Sequence, residues 1–150
     1  GITKLPYTAI HLREGGNPAN PDEPNYGDNP FYVNLRATEY YKKATALFPS
    51  GEFLVFSDDT EEAKRFVETL PLQDASLGVQ KFGFDNSSDD ITAFNLMASC
   101  ENIIIANSSF SYWAALLGPV DKKVVAPSPK NWYNDHNTER TVCPQHWHLI

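Results

Sequence analysis

Apolar and polar positions alternate between two periods along the chain. Short apolar runs predict strands, and segments with apolar residues three or four apart predict helices. The first run, residues 5–12, reads Leu-Pro-Tyr-Thr-Ala-Ile-His-Leu, with its proline near the start, where a lost N–H matters least. Further strands are predicted at residues 53–56, 80–84 (the weakest), 103–106 and 123–126. Helical spacing falls between them. Residues 38–48 open on Thr38 as a cap and place Tyr41, Ala44, Leu47 and Phe48 on one face. Residues 61–70 follow the turn Ser57-Asp58-Asp59-Thr60, with acids in the first turn. Residues 91–100 follow Ser88-Asp89-Asp90 and point Ile91, Phe94, Met97 and Ala98 inward. Residues 111–117 are closed by Gly118-Pro119. Residues 17–30 are rich in Asn, Pro, Asp and Gly and carry no period, which predicts a long loop and a candidate lid. Beyond Pro127 the text is irregular and aromatic, with a short helical turn at Trp132-Tyr133 and a further extended segment at residues 142–150.

Strand–helix alternation with short turns implies βαβ units. The expected fold is therefore α/β: one domain over residues 1–150, a doubly wound, mostly parallel sheet of about five strands, and helices on both faces. Ligands of such sheets lie at the carboxyl ends of the strands. The residues there are His11 and Arg13, Ser57 to Asp59, Phe84 to Asn86, and Asn107 to Phe110.

Charge narrows the ligand. With a net charge of −7 and a pI near 4.9, the chain lacks the basic footprint of a nucleic-acid binder, and no nucleic-acid partner is expected. A small phosphorylated ligand remains open, since local donors decide its binding. Two cysteines make no disulfide framework, and Cys100, within a helical pattern, reads as a buried free thiol. No apolar run is long enough to span a bilayer, and no signal peptide is visible. A chain that begins one step before its first strand is expected of an excised half of a larger protein, and equally of a small one.

Glycine-rich phosphate loops are missing, as is an Asp-x-Asp metal clamp. What remains is residues 103–118. There an apolar run meets Asn107-Ser108-Ser109-Phe110-Ser111 and then a helix, so that backbone N–H groups converge on an anion. Ser108 and Ser109 serve equally as a cap, and a cap with free donors is an anion site. Two residues apart on one strand, His11 and Arg13 share a face, where the arginine fork suits a pyrophosphate. The competing reading is a core histidine and a surface arginine. Ser57-Asp58-Asp59 could accept N–H groups from a guanine edge, though capping is the stronger reading of these residues alone, and capping is preferred outright for Asp89-Asp90. Cys143, His146 and His148 form a poor zinc set, and no metal site is expected. Asn86 and Asn107 head glycosylation sequons, but a sugar on Asn107 would block the serine turn, which weighs against a glycosylating lumen.

Taken together, these residues resemble the C-terminal, donor-binding half of the α-1,2-fucosyltransferase family, glycosyltransferase family 11. The family's His-x-Arg-Arg-Gly-Asp motif stands here as His11-Leu12-Arg13-Glu14-Gly15-Gly16. Also similar are Tyr40-Tyr41-Lys42-Lys43-Ala44, Phe56-Ser57-Asp58-Asp59, Leu96 to Cys100, Val125-Ala126-Pro127, Trp132-Tyr133-Asn134 and the closing Cys143-Pro144 with Trp147. Most specific is Ile105-Ala106-Asn107-Ser108-Ser109-Phe110-Ser111-Tyr112-Trp113. The resemblance implies a Rossmann-like half of a GT-B enzyme that transfers L-fucose from GDP-β-L-fucose to a glycan hydroxyl, α-1,2 to galactose, with inversion and without a metal or other cofactor. It implies that Arg13 holds the β-phosphate, that His11 and Asp59 meet the guanine, and that Ser108, Ser109 and Phe110 bind the pyrophosphate.

Two residues depart from the family pattern. Glu14 replaces the second arginine of the motif and Gly16 its aspartate, so a reversed charge stands beside the phosphate site. No residue matches a family general base, although Glu14 and Asp28 lie close in sequence. The acceptor-side N-terminal domain is expected to be a partner outside this chain, and the isolated half to bind its donor weakly and transfer poorly. A bacterial protein of this kind is expected in the cytoplasm or at a membrane periphery, a eukaryotic one in the Golgi lumen, the first being preferred. The competing function is a non-catalytic guanine-nucleotide or nucleotide-sugar binding module, with Glu14 marking a lost reaction. More distant is a doubly wound protein with no nucleotide role, whose serines and aspartates are only caps.

Overall fold

A computed structural model describes residues 3–13, 32–71, 75–134 and 143–150. Glu14, Gly16, Asp28 and the predicted loop at 17–30 lie outside the described residues, as does Val142.

The described chain is built around a six-stranded, all-parallel sheet. Its strands are β1 (Leu5–Leu12), β2 (Glu52–Ser57), β3 (Lys81–Phe84), β4 (Cys100–Ile104), β5 (Lys123–Ala126) and β6 (His148–Leu149). They are ordered β3-β2-β1-β4-β5-β6, the order of a Rossmann-like sheet. The chain starts at the centre, winds outward through β2 and β3, and returns to build β4 to β6 on the other side of β1. The winding direction therefore reverses between β1 and β4, and a crevice forms at the carboxyl ends of those two strands.

Side-chain alternation sends each central strand's apolar residues to two cores. Ile10, Leu12, Phe53, Val55, Ile104 and Val125 face α1 (Tyr40–Ala46) and α2 (Thr60–Glu68), through Tyr40, Tyr41, Ala44 and Ala63. Ala9, Phe56, Ile103, Val124 and Ala126 face α3 (Asp90–Ser99), α4 (Ser109–Leu116) and α5 (Pro129–Trp132), through Met97, Ala98, Ala114, Ala115 and Trp132. Burial on both faces explains why β1 and β4 read as near-continuous apolar runs. Residues 9, 11 and 13 share one face of β1, so His11 and Arg13 belong to the α3–α4 side.

The fold class is as the sequence predicts, with β6 as a sixth strand at one edge. Several boundaries differ. α1 begins at Tyr40, not Thr38. Thr38 instead closes a 3-10 turn at Leu35–Ala37, its hydroxyl donating to the Leu35 carbonyl at 2.7 Å and accepting the Tyr40 N–H at 3.1 Å. α3 stops at Ser99 and Cys100 opens β4 with no connecting residue, so Cys100 is a buried strand residue rather than a helical one. Ile91, expected to point inward, is 75% exposed: it lies in the first turn of α3, whose buried residues, Met97 and Ala98, are in its last turns. No described helix is long and apolar enough to cross a membrane.

Candidate functional site

The crevice at the reversal point is framed by the end of β1, the turn after β4 and the start of α4. Two tyrosines of α1 fix its backbone from below. The Tyr40 hydroxyl lies 2.6 Å from the Ile105 carbonyl and 3.1 Å from that of Val125, and the Tyr41 hydroxyl donates to the His11 carbonyl at 2.7 Å. Chain ends that would otherwise be free to move are thereby tied to the core.

Ser108 is the N-cap of α4, and its hydroxyl accepts the Phe110 N–H at 3.3 Å. The helix runs back along the sheet, so its positive end is aimed at the crevice. Ser108 is buried and Ser109 exposed. Both line a cleft of about 220 Å³ together with Arg13, Asn107, Tyr112, Trp132 and Tyr133. Arg13 and the serine turn, 95 positions apart in sequence, thus line one cavity.

His11 sits behind this cleft. It is 8% exposed, its Nδ1 lies 2.8 Å from the Ser111 hydroxyl, and its ring packs 5.5 Å from that of Phe110. Ser111 is fully buried and also accepts the Ala106 N–H at 3.1 Å. This contact couples the tautomer of the imidazole to the rotor of the Ser111 hydroxyl. Burial pushes the His11 pKa down to about 4, with Arg13 adding to the shift and Asp58 opposing it, so the ring is neutral at pH 7. Phe110 itself packs against His11 and Phe94.

Asp59 stands apart from these. It is exposed, caps α2 through the Glu62 N–H at 3.1 Å, and does not line the cleft. Its neighbours Ser57 and Asp58 line a second, polar hollow at the ends of β2 and β3, with Asp85, Asn86, Ser87 and Ser88. Asp89 is the N-cap of α3, and the Thr92 N–H, at 2.8 Å, holds its carboxyl below the usual range. Among the described residues, no three His, Cys, Asp or Glu side chains gather as a cation's ligands would.

Three features were not visible in the sequence. Ser111 was read as part of the turn, not as the partner of His11. The Asn107 amide, 1% exposed, donates 2.9 Å bonds to the carbonyls of Val33 and Trp132, which stitches the serine turn to two distant segments. Its sequon is thus closed to modification in the folded chain. Those segments form a short antiparallel arm through a bridge between Tyr32 and Tyr133 and a 3.2 Å bond from Val33 N–H to the Trp132 carbonyl.

Comparison with known proteins bears on the whole arrangement. Residues 29–150 match the profile of glycosyl transferase family 11. The chain is 30% identical over 139 residues to the O-antigen biosynthesis glycosyltransferase WbnK of Escherichia coli, an alignment covering 89% of this chain and 41% of that protein. It is 32% identical over 97 residues to an alpha-1,2-colitosyltransferase of Escherichia coli, covering 63% of this chain and 31% of that protein. The chain therefore spans well under half the length of these curated relatives. No solved structure matches it significantly.

Proposed function

Since the chain belongs to glycosyl transferase family 11, we propose that it is the donor-binding half of a GT-B, metal-independent, inverting fucosyltransferase, moving L-fucose from GDP-β-L-fucose to a glycan hydroxyl, α-1,2 to galactose. The observation that carries this reading is the shared cleft: Arg13 and the capped N-terminus of α4 line one cavity at the point where the winding of the sheet reverses.

In this reading Arg13 holds the β-phosphate, while Ser108 and Ser109 hold the pyrophosphate, with Phe110 backing the turn through its N–H bond to the Ser108 hydroxyl and its packing on His11. The guanine lies toward β2, where the Asp59 carboxylate accepts its N–H groups and neutral His11 meets the base. The acceptor oxygen bonds to C1 of fucose as the bond from C1 to the β-phosphate oxygen breaks. GDP leaves with that electron pair, and the acceptor's proton passes to a base. Negative charge grows on the departing diphosphate, so donors fixed before the reaction lower the barrier. The base and the acceptor-binding surface belong to the rest of the protein or to residues outside those described. Such a protein would act in the cytoplasm or at a membrane periphery.

Calorimetry with GDP-fucose, GDP, UDP and ADP tests the reading. A preference for the guanine nucleotides that disappears in Arg13→Ala supports it, whereas failure to bind any nucleotide would reduce the serines and aspartates to helix caps. Transfer by the intact gene product, set against its Glu14→Arg form, separates an enzyme from a binding module.

A further inference from the structure

We infer that the aromatic wall of the Arg13 cleft is the subsite for the sugar ring of the donor, and that Tyr133 and Asn107 are its recognition residues. The inference rests on the nucleotide-sugar reading above and adds which part of the ligand lies where.

The cleft is chemically two-sided. Arg13, Ser108 and Ser109 offer the groups a phosphate needs. The same cleft is lined by Tyr32, Tyr112, Trp132 and Tyr133, whose ring faces a phosphate does not need. The rings are held in a fixed array. Tyr32 and Tyr133 lie 5.6 Å apart, Trp132 and Tyr133 6.3 Å, and Tyr112 and Trp132 6.5 Å. The antiparallel arm sets their positions: the Tyr32–Tyr133 bridge is flanked by the bond from Val33 to Trp132 and by a 2.9 Å bond from the Asn134 amide to the Tyr32 carbonyl. Trp132 is nearly buried, but Tyr133 is 44% exposed, leaving ring surface to cover. A rigid apolar face beside a phosphate-binding turn suits the C–H face of a deoxy sugar attached to that phosphate.

Asn107 adds an independent observation. Two carbonyls occupy its amide nitrogen, so the amide cannot be flipped. Its Oδ1 is then oriented, buried and without a partner among the described residues, in a residue that lines the cleft. A buried acceptor left unpaired is costly, and a ligand hydroxyl donated to it removes that cost. A phosphate, which has only acceptors to offer at neutral pH, cannot do so.

The order of the sheet argues for sugar rather than base at this end. The carboxylates suited to a guanine edge, Asp58 and Asp59, follow β2, on one side of the phosphate-binding strands. The aromatic residues Trp132 and Tyr133 follow β5, on the other. A nucleotide sugar laid across the strand ends would run base, diphosphate, sugar from β2 to β5.

Calorimetry with GDP and GDP-fucose on Tyr133→Leu and Tyr133→Phe decides the matter; the exposed position makes both variants tolerable to the fold. Tyr133→Leu is expected to weaken GDP-fucose by roughly three- to tenfold while leaving GDP unchanged, and Tyr133→Phe, which keeps the ring, to restore GDP-fucose binding. Equal weakening of GDP and GDP-fucose would overturn the inference by placing the base on the aromatic wall. Unchanged binding of both would overturn it too, with the nucleotide reading intact. If the unaltered chain binds no GDP at all, the failure lies with the nucleotide reading itself.

Discussion

His11 illustrates how little of a side chain's chemistry is set by its own identity. The ring is kept neutral by burial, and its Nδ1 is engaged by one serine hydroxyl a hundred positions away. Because its folded pKa, about 4, lies below the ordinary value near 6.5, the unfolded chain takes up the proton first as the pH falls. The stability tied to His11 is therefore complete above about pH 6.5 and is lost as the pH falls toward 4, by about 3 kcal/mol in all. Imidazole NMR should show His11 untitrated between pH 5 and 8, and His11→Phe should flatten the acid limb of the denaturation midpoint; a ring titrating near 6.5 would contradict the burial account. Ser111→Ala removes the acceptor for the Ala106 N–H as well as the His11 partner. It should cost about 1–3 kcal/mol in urea denaturation.

At the scale of elements, the helix ends carry the chemistry. Asp59 caps α2, a duty a serine performs equally well. Asp59→Ser is therefore expected to leave the melting temperature within a degree or two and to weaken GDP binding; if binding is unchanged, the carboxylate serves only as a cap. The opposite ends of α3 and α4 are joined by Lys122, buried at 6% exposure. Its ammonium donates to the carbonyls of Ala98 at 2.6 Å, Ala114 at 3.0 Å and Leu117 at 2.6 Å. Burial pushes its pKa down to about 8, yet the three carbonyls at two negative helix ends keep a cation favourable at neutral pH. Lys122→Met would strand those carbonyls and should destabilise the fold by about 3 kcal/mol, measurable by denaturant titration. Gly118 makes the junction possible. Its φ is +84°, and a Cβ there would lie 2.0 Å from the Ala98 carbonyl oxygen. Helix starts are legible where the cap is local, as at Asp59, Asp89 and Ser108, but not at Thr38, which closes the preceding 3-10 turn while Glu39 stands at the N-cap of α1. The Lys122 clamp is not legible either, because nothing in its local sequence distinguishes it from a surface lysine.

For the molecule as a whole, the sheet order sets both stability and function. β1 and β4 are paired on both sides and covered on both faces, whereas β3 and β6 are edges. Amide exchange should be slowest in residues 8–12 and 102–104 and fastest in β3 and β6; early exchange of β1 would contradict this core. The same central pair carries the two halves of the candidate site, so the residues proposed to bind sit on the most protected backbone. The amino-acid sequence by itself determined the α/β class, the parallel sheet and the position of the serine turn that caps α4, because period, caps and turn residues act over a few positions. It also placed Arg13 and Ser108 at strand ends. It did not show that they share one cleft, which depends on β4 returning to lie beside β1 after two strands have gone the other way. Only the tertiary structure decided that Ser111 pairs with His11, that Asn107 carries an acceptor unpaired among the described residues, and that Tyr32 meets Tyr133. These contacts join residues about a hundred positions apart or meet across separate segments, and a sequence pattern records only what neighbours along the chain impose on one another.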